Sequence, residues 1–267
     1  MTMKVALIQV SAGPDKELNL RKAVKFVERA AKAGAEFILL PEIFVFRGKL
    51  TSGNLKEIAE SIPGQITGRF GELAKKYKVS ILAGSIFEKA DGKKVYNTSV
   101  LIDDHGQLRA KYRKMNLFSA RLGKRRIREE DNFYRGKNIV LTKVQGFRVG
   151  LSVCFDLRFP ALYEQYFKRG AGILTVPSAF TKKTGRAHWE VLLRARAIEN
   201  QCFVLAPNQI GEDYRGIASY GNSMVVDPWG RILARASGNK EEIIYADINM
   251  KDIKQAKQIL PLKRRRP

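Results

Sequence analysis

Cysteine and histidine are nearly missing: the 267 residues hold two of each, Cys154 and Cys202, His105 and His188. Two cysteines cannot build a disulfide framework, and no His or Cys cluster has zinc-ligand spacing, so no metal is expected. Scarce histidine also limits any Cys-His or Ser-His machinery to one candidate base at best. Acidic charge is short as well, with 26 Asp and Glu against 49 Lys and Arg, a net charge of +23. Long apolar runs are absent. The longest apolar stretch, 79–87, is broken by Gly84 and two serines, far from the ~20 apolar residues of a membrane helix. The opening MTMKVALIQVSAG has one lysine and a short apolar run cut by Gln9, and it reads as a first strand rather than a signal peptide. A cytoplasmic protein that spans no membrane is expected.

What is present is ordinary globular material: 45% apolar and 28% charged residues, with 22 glycines and nine prolines, which excludes wholesale disorder. The length suits one large α/β domain. The pattern alternates strands and helices. A strand at 5–10 precedes Asp15, which can cap a helix with Leu18, Val24, Val27 and Ala31 near helical spacing, ending at Gly34. A buried strand at 37–40 runs into Pro41-Glu42. A helix at 68–77, an extended stretch at 79–87, and strands at 95–102 and 107–112 around an Asp-Asp-His-Gly turn follow. The plan then restarts, with strands at 147–153 and 173–176 around a helix at 162–168. A helix at 188–199 and strands at 202–206 and 232–236, the last after the strand and turn at 223–230, complete it. GAEFILLPE at 34–42 echoes GAGILTVPS at 170–178. The expected architecture is a single α/β domain over 1–267, a four-layer α-β-β-α sandwich of two similar halves with a basic tail at 261–267.

Several residues stand where chemistry is possible. Cys154 ends the apolar run VGLSV and precedes FDLRFP, so its sulfur can open into a crevice at a strand's carboxyl end. A helix start behind it would favour the thiolate. A plain buried cysteine fits the same letters, and the residues alone leave both readings open. Cys202, in CFVLA, reads as a core residue. Glu42 ends FILLPE, where a carboxylate needs either a partner or a task. Lys114, in RAKYRKMNLF, is by itself one cation of 49. His105 reads as a solvated turn residue, and His188 as a helix-start or packing residue.

Taken together, LLPE at 39–42, YRK at 112–114 and VGLSVCFDLRFP at 149–160 resemble the nitrilase superfamily of carbon–nitrogen hydrolases. The stretches 177–211 and 219–234 resemble its Nit-type amidase branch, whose members include omega-amidase and deaminated-glutathione amidase. The resemblance covers nearly the whole chain. It implies Glu42, Lys114 and Cys154 as a catalytic triad, Glu129 as an accessory glutamate with Glu130 the lesser candidate, no cofactor, and at least a homodimer. It implies that Glu42 takes the thiol proton, that Lys114 and the Phe155 N–H hold the oxyanion, and that a thioester forms on Cys154. The chain departs from the branch pattern at Asn116, Ser119, Ala161 and Asn222, departures that touch no triad member.

The expected function is therefore a cysteine-dependent hydrolase of the amide bond in a small carboxylate-bearing amide. A nitrilase or an N-carbamoyl amidohydrolase is the alternative within enzymes, and Phe155-Asp156 after the cysteine, where nitrilases carry Trp-Glu, argues against it. A basic nucleic-acid-binding protein is the alternative outside them. The charge motivates it, but no recognition motif is present and no aromatics interleave the basic runs, so nucleic acid is not the expected partner. Residues 109–137 carry 11 Lys or Arg against three Asp or Glu, a local field that can attract an acidic substrate.

Overall fold

The first two strands carry apolar residues on both faces, and the computed structural model, which describes residues 1–122 and 125–262, shows why. Met3, Val5 and Leu7 of β1 (Thr2–Gln9) face one core, while Ala6 and Ile8 face another. The same alternation continues in β2 (Phe37–Leu39), where Phe37 and Leu39 oppose Ile38. A strand sandwiched between two packed layers needs this pattern.

The first half runs β1, α1 (Lys16–Lys32), β2, α2 (Ser52–Ile58), α3 (Gln65–Tyr77), β3 (Ser80–Leu82), β4 (Ile86–Glu88), β5 (Val95–Ile102) and β6 (Leu108–Arg113). A hairpin of β7 (Ser119–Leu122) and β8 (Arg125–Arg128), a 3₁₀ turn Glu129–Asp131 and β9 (Phe133–Tyr134) lead onward. The second half runs β10 (Leu141–Val144), β11 (Phe147–Leu151), a 3₁₀ turn Cys154–Arg158, α4 (Pro160–Lys168), β12 (Ile173–Thr175), α5 (Lys182–Asn200), β13 (Phe203–Ala206), β14 (Met224–Val226) and β15 (Ile232–Arg235). The chain returns through β16 (Glu242–Asn249) and α6 (Met250–Ile259).

The halves share one plan. In the first sheet β1, β2 and β3 are parallel neighbours, with β16 antiparallel at one side and β5 antiparallel at the other. In the second, β11, β12 and β13 are parallel, with β10 and β14 antiparallel at the two sides. The sheets pack face to face through Val5, Leu7, Phe37 and Leu39 against a core that includes Val149, Leu151, Ile173 and Phe203. Helices α1 and α3 cover the outer face of the first sheet through Leu20, Val27, Phe70 and Ala74, and α4 and α5 pack on the second through Tyr163, Tyr166, Trp189 and Leu193. The α-β-β-α layering expected from the sequence is thus observed.

Asp15 caps α1 as its letter suggests, its carboxylate accepting the Leu18 N–H at 2.9 Å. Three expectations need correction. The stretch 79–87 is two short strands, because the backbone turns at Gly84 (φ 31°) where a Cβ would strike the Leu40 and Pro41 carbonyls. Helix α5 starts at Lys182 with Thr181 as its cap, so His188 lies inside it, not at its start. The strand expected from 202 begins at Phe203 as β13 (Phe203–Ala206), while Cys202 is fully buried, as its reading as a core residue expects. Lys124 and the basic residues 263–266 lie outside the described residues. Among the described residues no helix is long and apolar enough to cross a membrane.

Candidate active site

The echoing segments of the two halves meet at one end of the sandwich. Glu42 lies just beyond β2, and its Oε2 accepts the N–H of Ala179, which lies just beyond β12, at 2.9 Å. The close approach at Gly84 holds the 40–41 backbone against the neighbouring strand connection, and Gln209 donates to the Glu42 carbonyl at 2.9 Å. Glu42 is buried, so its carboxylate must be satisfied locally. Asn97 on β5 donates to its Oε1 at 2.9 Å, and Lys114 Nζ donates to the same oxygen at 2.8 Å.

Lys114 directly follows β6, where its backbone N–H pairs with the Asn97 carbonyl at 2.8 Å. Its side chain is wholly buried, which no rule about basic residues on surfaces anticipates. Two carboxylates make this tolerable: Glu42 and Glu129 both lie 2.8 Å from Nζ. Burial alone would lower the ammonium's pKa, yet Glu129 and Glu42 hold it well above the ordinary lysine value. Glu129 opens the 3₁₀ turn after β8, and its second tie is the Phe118 N–H at 2.7 Å. Burial raises the Glu129 carboxyl, an effect Lys114 offsets only in part. Glu130 instead pairs with Arg128 at 2.7 Å and does not reach Lys114.

Cys154 turns the chain out of β11 into the 3₁₀ turn with φ 47°, in the left-handed region that non-glycine residues rarely occupy. Its N–H is held by the Pro177 carbonyl at 3.0 Å. Burial, then the neighbouring Glu42 charge, push the thiol's pKa well up, with Lys114 opposing them. The helix start expected to favour the thiolate is therefore outweighed, and the sulfur rests as a thiol. The Phe155 N–H donates to none of the described residues, while its ring lines the cavity beside Cys154.

Sequence reasoning missed what lies under this turn. Asp156 is fully buried and accepts from Tyr112 Oη at 2.8 Å and from the N–H of Val153, the N–H of Asn116 and Asn116 Nδ2, each at 2.9 Å. One carboxylate thus ties the Cys154 turn to the strand end that carries Lys114. It also gives Asn116 a structural place. Asn222 has φ 54°, a conformation asparagine tolerates better than most residues, and its Oδ1 accepts from Arg235 at 3.0–3.1 Å. The Ala161 departure leaves the first turn of α4 without an acid, and nothing in the structure explains it.

The site opens into a cavity of about 300 Å³ lined by Glu42, Glu129, Cys154 and Phe155, by the apolar walls Phe46, Phe87, Phe118, Phe133 and Phe180, and by five arginines. That size fits a small molecule.

A family described as carbon-nitrogen hydrolase matches residues 4–258. Human omega-amidase NIT2 is 37% identical over 266 residues, covering 99% of this chain and 95% of the relative. Mouse deaminated glutathione amidase is 38% identical over 270 residues, covering 98% and 83%. The crystal structure of the C. elegans NitFhit protein aligns with a TM-score of 0.90 at 37% identity, over 97% of this chain but only 64% of that one. An amidase from Nesterenkonia sp. AN1 aligns with a TM-score of 0.80 at 26% identity over 95% of this chain and 92% of its own. In a mutant of that amidase the acetamide moiety of fluoroacetamide is covalently added at the active-site cysteine.

Proposed function

The chain belongs to the carbon–nitrogen hydrolase family, and from that premise we propose that it is a cysteine-dependent amidase in which Glu42, Lys114 and Cys154 act together, with Glu129 in support, on a small carboxylate-bearing amide. The observation that carries this reading is the buried Glu42 carboxylate, bonded to the Lys114 ammonium at 2.8 Å and facing the Cys154 thiol. The amidase relatives, omega-amidase and deaminated glutathione amidase, support the reaction type.

The chemistry follows from the resting charges. Because burial keeps the sulfur protonated, attack needs a base, and Glu42 is the carboxylate beside it. Glu42 takes the thiol proton as Sγ attacks the amide carbonyl carbon. The carbonyl oxygen gains negative charge and meets two donors, the Lys114 ammonium and the Phe155 N–H; one such donor contributes about 3 kcal/mol of barrier lowering. As the tetrahedral intermediate collapses, Glu42 gives its proton to the departing nitrogen, which leaves as ammonia or an amine. A thioester remains on Cys154. Water enters, Glu42 takes its proton, and the acid departs with the thiol restored. Glu129 keeps Lys114 protonated and pointed at the oxyanion.

The domain expected over 1–267 serves this one site, since both halves contribute to it. Two unpaired cysteines suit a reducing, cytoplasmic setting. A homodimer is the proposed assembly. Val191 and Ile198 lie seven residues apart on α5 and are 67% and 45% exposed, and Ile198 adjoins Gly230 in the turn carrying the half-exposed Trp229. These exposed apolar side chains support placing the interface there. Light scattering of wild type and V191D tests it: a dimer that the substitution dissociates supports the assembly, and a monomeric wild type overturns it.

Ammonia release from a panel of short amides tests the function. Wild type should turn over at least one, C202A should match it, and C154A should release nothing above background. Undiminished turnover by C154A would overturn the assignment.

A further inference from the structure

The Glu42 carboxylate is held unevenly. A carboxylate has about four lone-pair sites, two on each oxygen. On Oε1 both are filled, by Asn97 Nδ2 at 2.9 Å and Lys114 Nζ at 2.8 Å. On Oε2 one is filled, by the Ala179 N–H at 2.9 Å. Burial and then the Glu42 charge raise the Cys154 thiol's pKa, and the Ala179 N–H is among the groups that pull it back, so that N–H lies beside both the sulfur and Oε2. The open site on Oε2 is therefore where the thiol proton can go.

Asn97 is the neutral member of this set, and its placement carries a cost. It is 1% exposed on β5, and its Oδ1 is buried without a hydrogen bond to any described residue. An unsatisfied buried acceptor destabilises, and a leucine of similar volume would avoid it. Turning the amide over gives no relief, because Oδ1 would then face the carboxylate oxygen at the same 2.9 Å, acceptor against acceptor. What the side chain gains is its bond to Glu42. Its main chain serves the same constellation, since the Asn97 carbonyl accepts the Lys114 N–H at 2.8 Å. Asn97 does not line the cavity, so it acts on a substrate only through Glu42.

We infer that Asn97 is the positioning residue of the base: by filling the second site on Oε1 it keeps the Glu42 carboxylate ionised and turned with the open site of Oε2 towards Cys154. The inference rests on the amidase reading above. Lys114 alone would leave the carboxylate free to swing about one bond. Two donors from neighbouring strands on one oxygen, with the Ala179 N–H on the other, fix its plane. An amide also adds no charge. The titratable groups that act on Glu42 among the described residues are Lys114 after β6, Glu129 in its 3₁₀ turn, Cys154 after β11 and Arg47 in the loop after β2, and Asn97 orients the base without disturbing their balance.

The test uses N97L, which keeps the volume, and N97D, which keeps the shape but turns the donor into a second carboxyl. With a neutral short amide, the acid limb of kcat/KM reports the base in the free enzyme. Removing a donor from a carboxylate favours its protonated form, so the limb should move up by about one pH unit in N97L and at least as far in N97D, which adds a like charge. On the plateau, kcat should fall roughly 10- to 100-fold with KM nearly unchanged, part of the 10²–10⁴ that a positioned base supplies. Alkylation of Cys154 by iodoacetamide, followed by mass spectrometry, reads the same limb without turnover; it should shift alongside and vanish in E42Q. A limb unmoved in both variants, or a plateau kcat near wild type, would make Asn97 merely structural and overturn the inference, as would failure of both variants to fold. An alkylation limb that moves up in a protein hydrolysing no amide would uphold the inference and sink the amidase reading. A limb that E42Q leaves in place would overturn both.

Discussion

Lys114→Met removes the charge at the centre of the site while keeping most of the stem's volume, and the structure sets the size of the effect. The ammonium is wholly buried and lies 2.8 Å from each of two carboxylates. Breaking one buried pair from one side typically costs 3–5 kcal/mol, and two partners place this case near the top, at about 4–5 kcal/mol. For a chain of this length that is a fall of roughly 10–15 °C in Tm. The deficit should depend on pH. Glu129, whose carboxyl burial already raises, loses the cation that offsets this, so its folded pKa climbs further above its unfolded value. Such a group stabilises below the unfolded pKa and loses that contribution as pH rises, so the gap between K114M and wild type should be narrower at pH 5 than at pH 8. Adding E129Q removes one stranded carboxylate and should recover about 1–2 kcal/mol in the K114M background, while it destabilises wild type. Urea unfolding of the four proteins at both pH values reads all of this. K114M within 1 kcal/mol of wild type, or equal effects of E129Q in both backgrounds, would refute the reasoning.

Three further outcomes are expected. Burial pushes the Glu88 carboxyl up, but bonds from Arg113, Lys111 and Thr98 bring its pKa down to about 2. Its stabilisation is therefore full above the unfolded carboxylate range and disappears as pH falls towards 2, so E88Q should cost about 2 kcal/mol at pH 7 and almost nothing near pH 2 in urea titrations. D156N leaves an amide where four donors converge; it should cost about 3 kcal/mol in unfolding and lower kcat through the Cys154 turn, and unchanged stability would contradict the role given to it. If the basic segment around the cavity steers an acidic substrate, kcat/KM for an anionic amide should fall as the Debye length shrinks from ~10 Å at 0.1 M salt to ~3 Å at 1 M. Equal salt sensitivity for a neutral amide would reduce that segment to a solvated face.

Much of this was legible because local signals and the fold agree. The Asp15 cap, the strand running into Glu42 and the echo between 34–42 and 170–178 each report on neighbours in sequence, and the structure turns the echo into two matching sheets. Contacts distant in sequence were not legible. Strand β16 pairs with β1 across some 240 residues, and nothing local in either announces it. The β7–β8 hairpin carries arginines where alternation would mark a strand. In the site, Cys154 and Glu42 stood out by position. Lys114 stood out only through the family resemblance, since nothing in its letters says that two carboxylates surround it. Asp156 carried a weak signal, a charge within CFDLR. Which partners such a charge finds is decided only once the halves come together.

The most direct test of the account is the covalent intermediate. Wild type and E42Q, mixed with a turned-over amide and quenched within milliseconds to seconds, should show an added acyl mass by intact mass spectrometry, mapped to the Cys154 peptide with Cys202 unmodified. The adduct should appear in wild type and form far more slowly in E42Q, which lacks the base. An acyl group on Cys202, or sustained turnover with no adduct in wild type and full activity in C154A, would contradict the account.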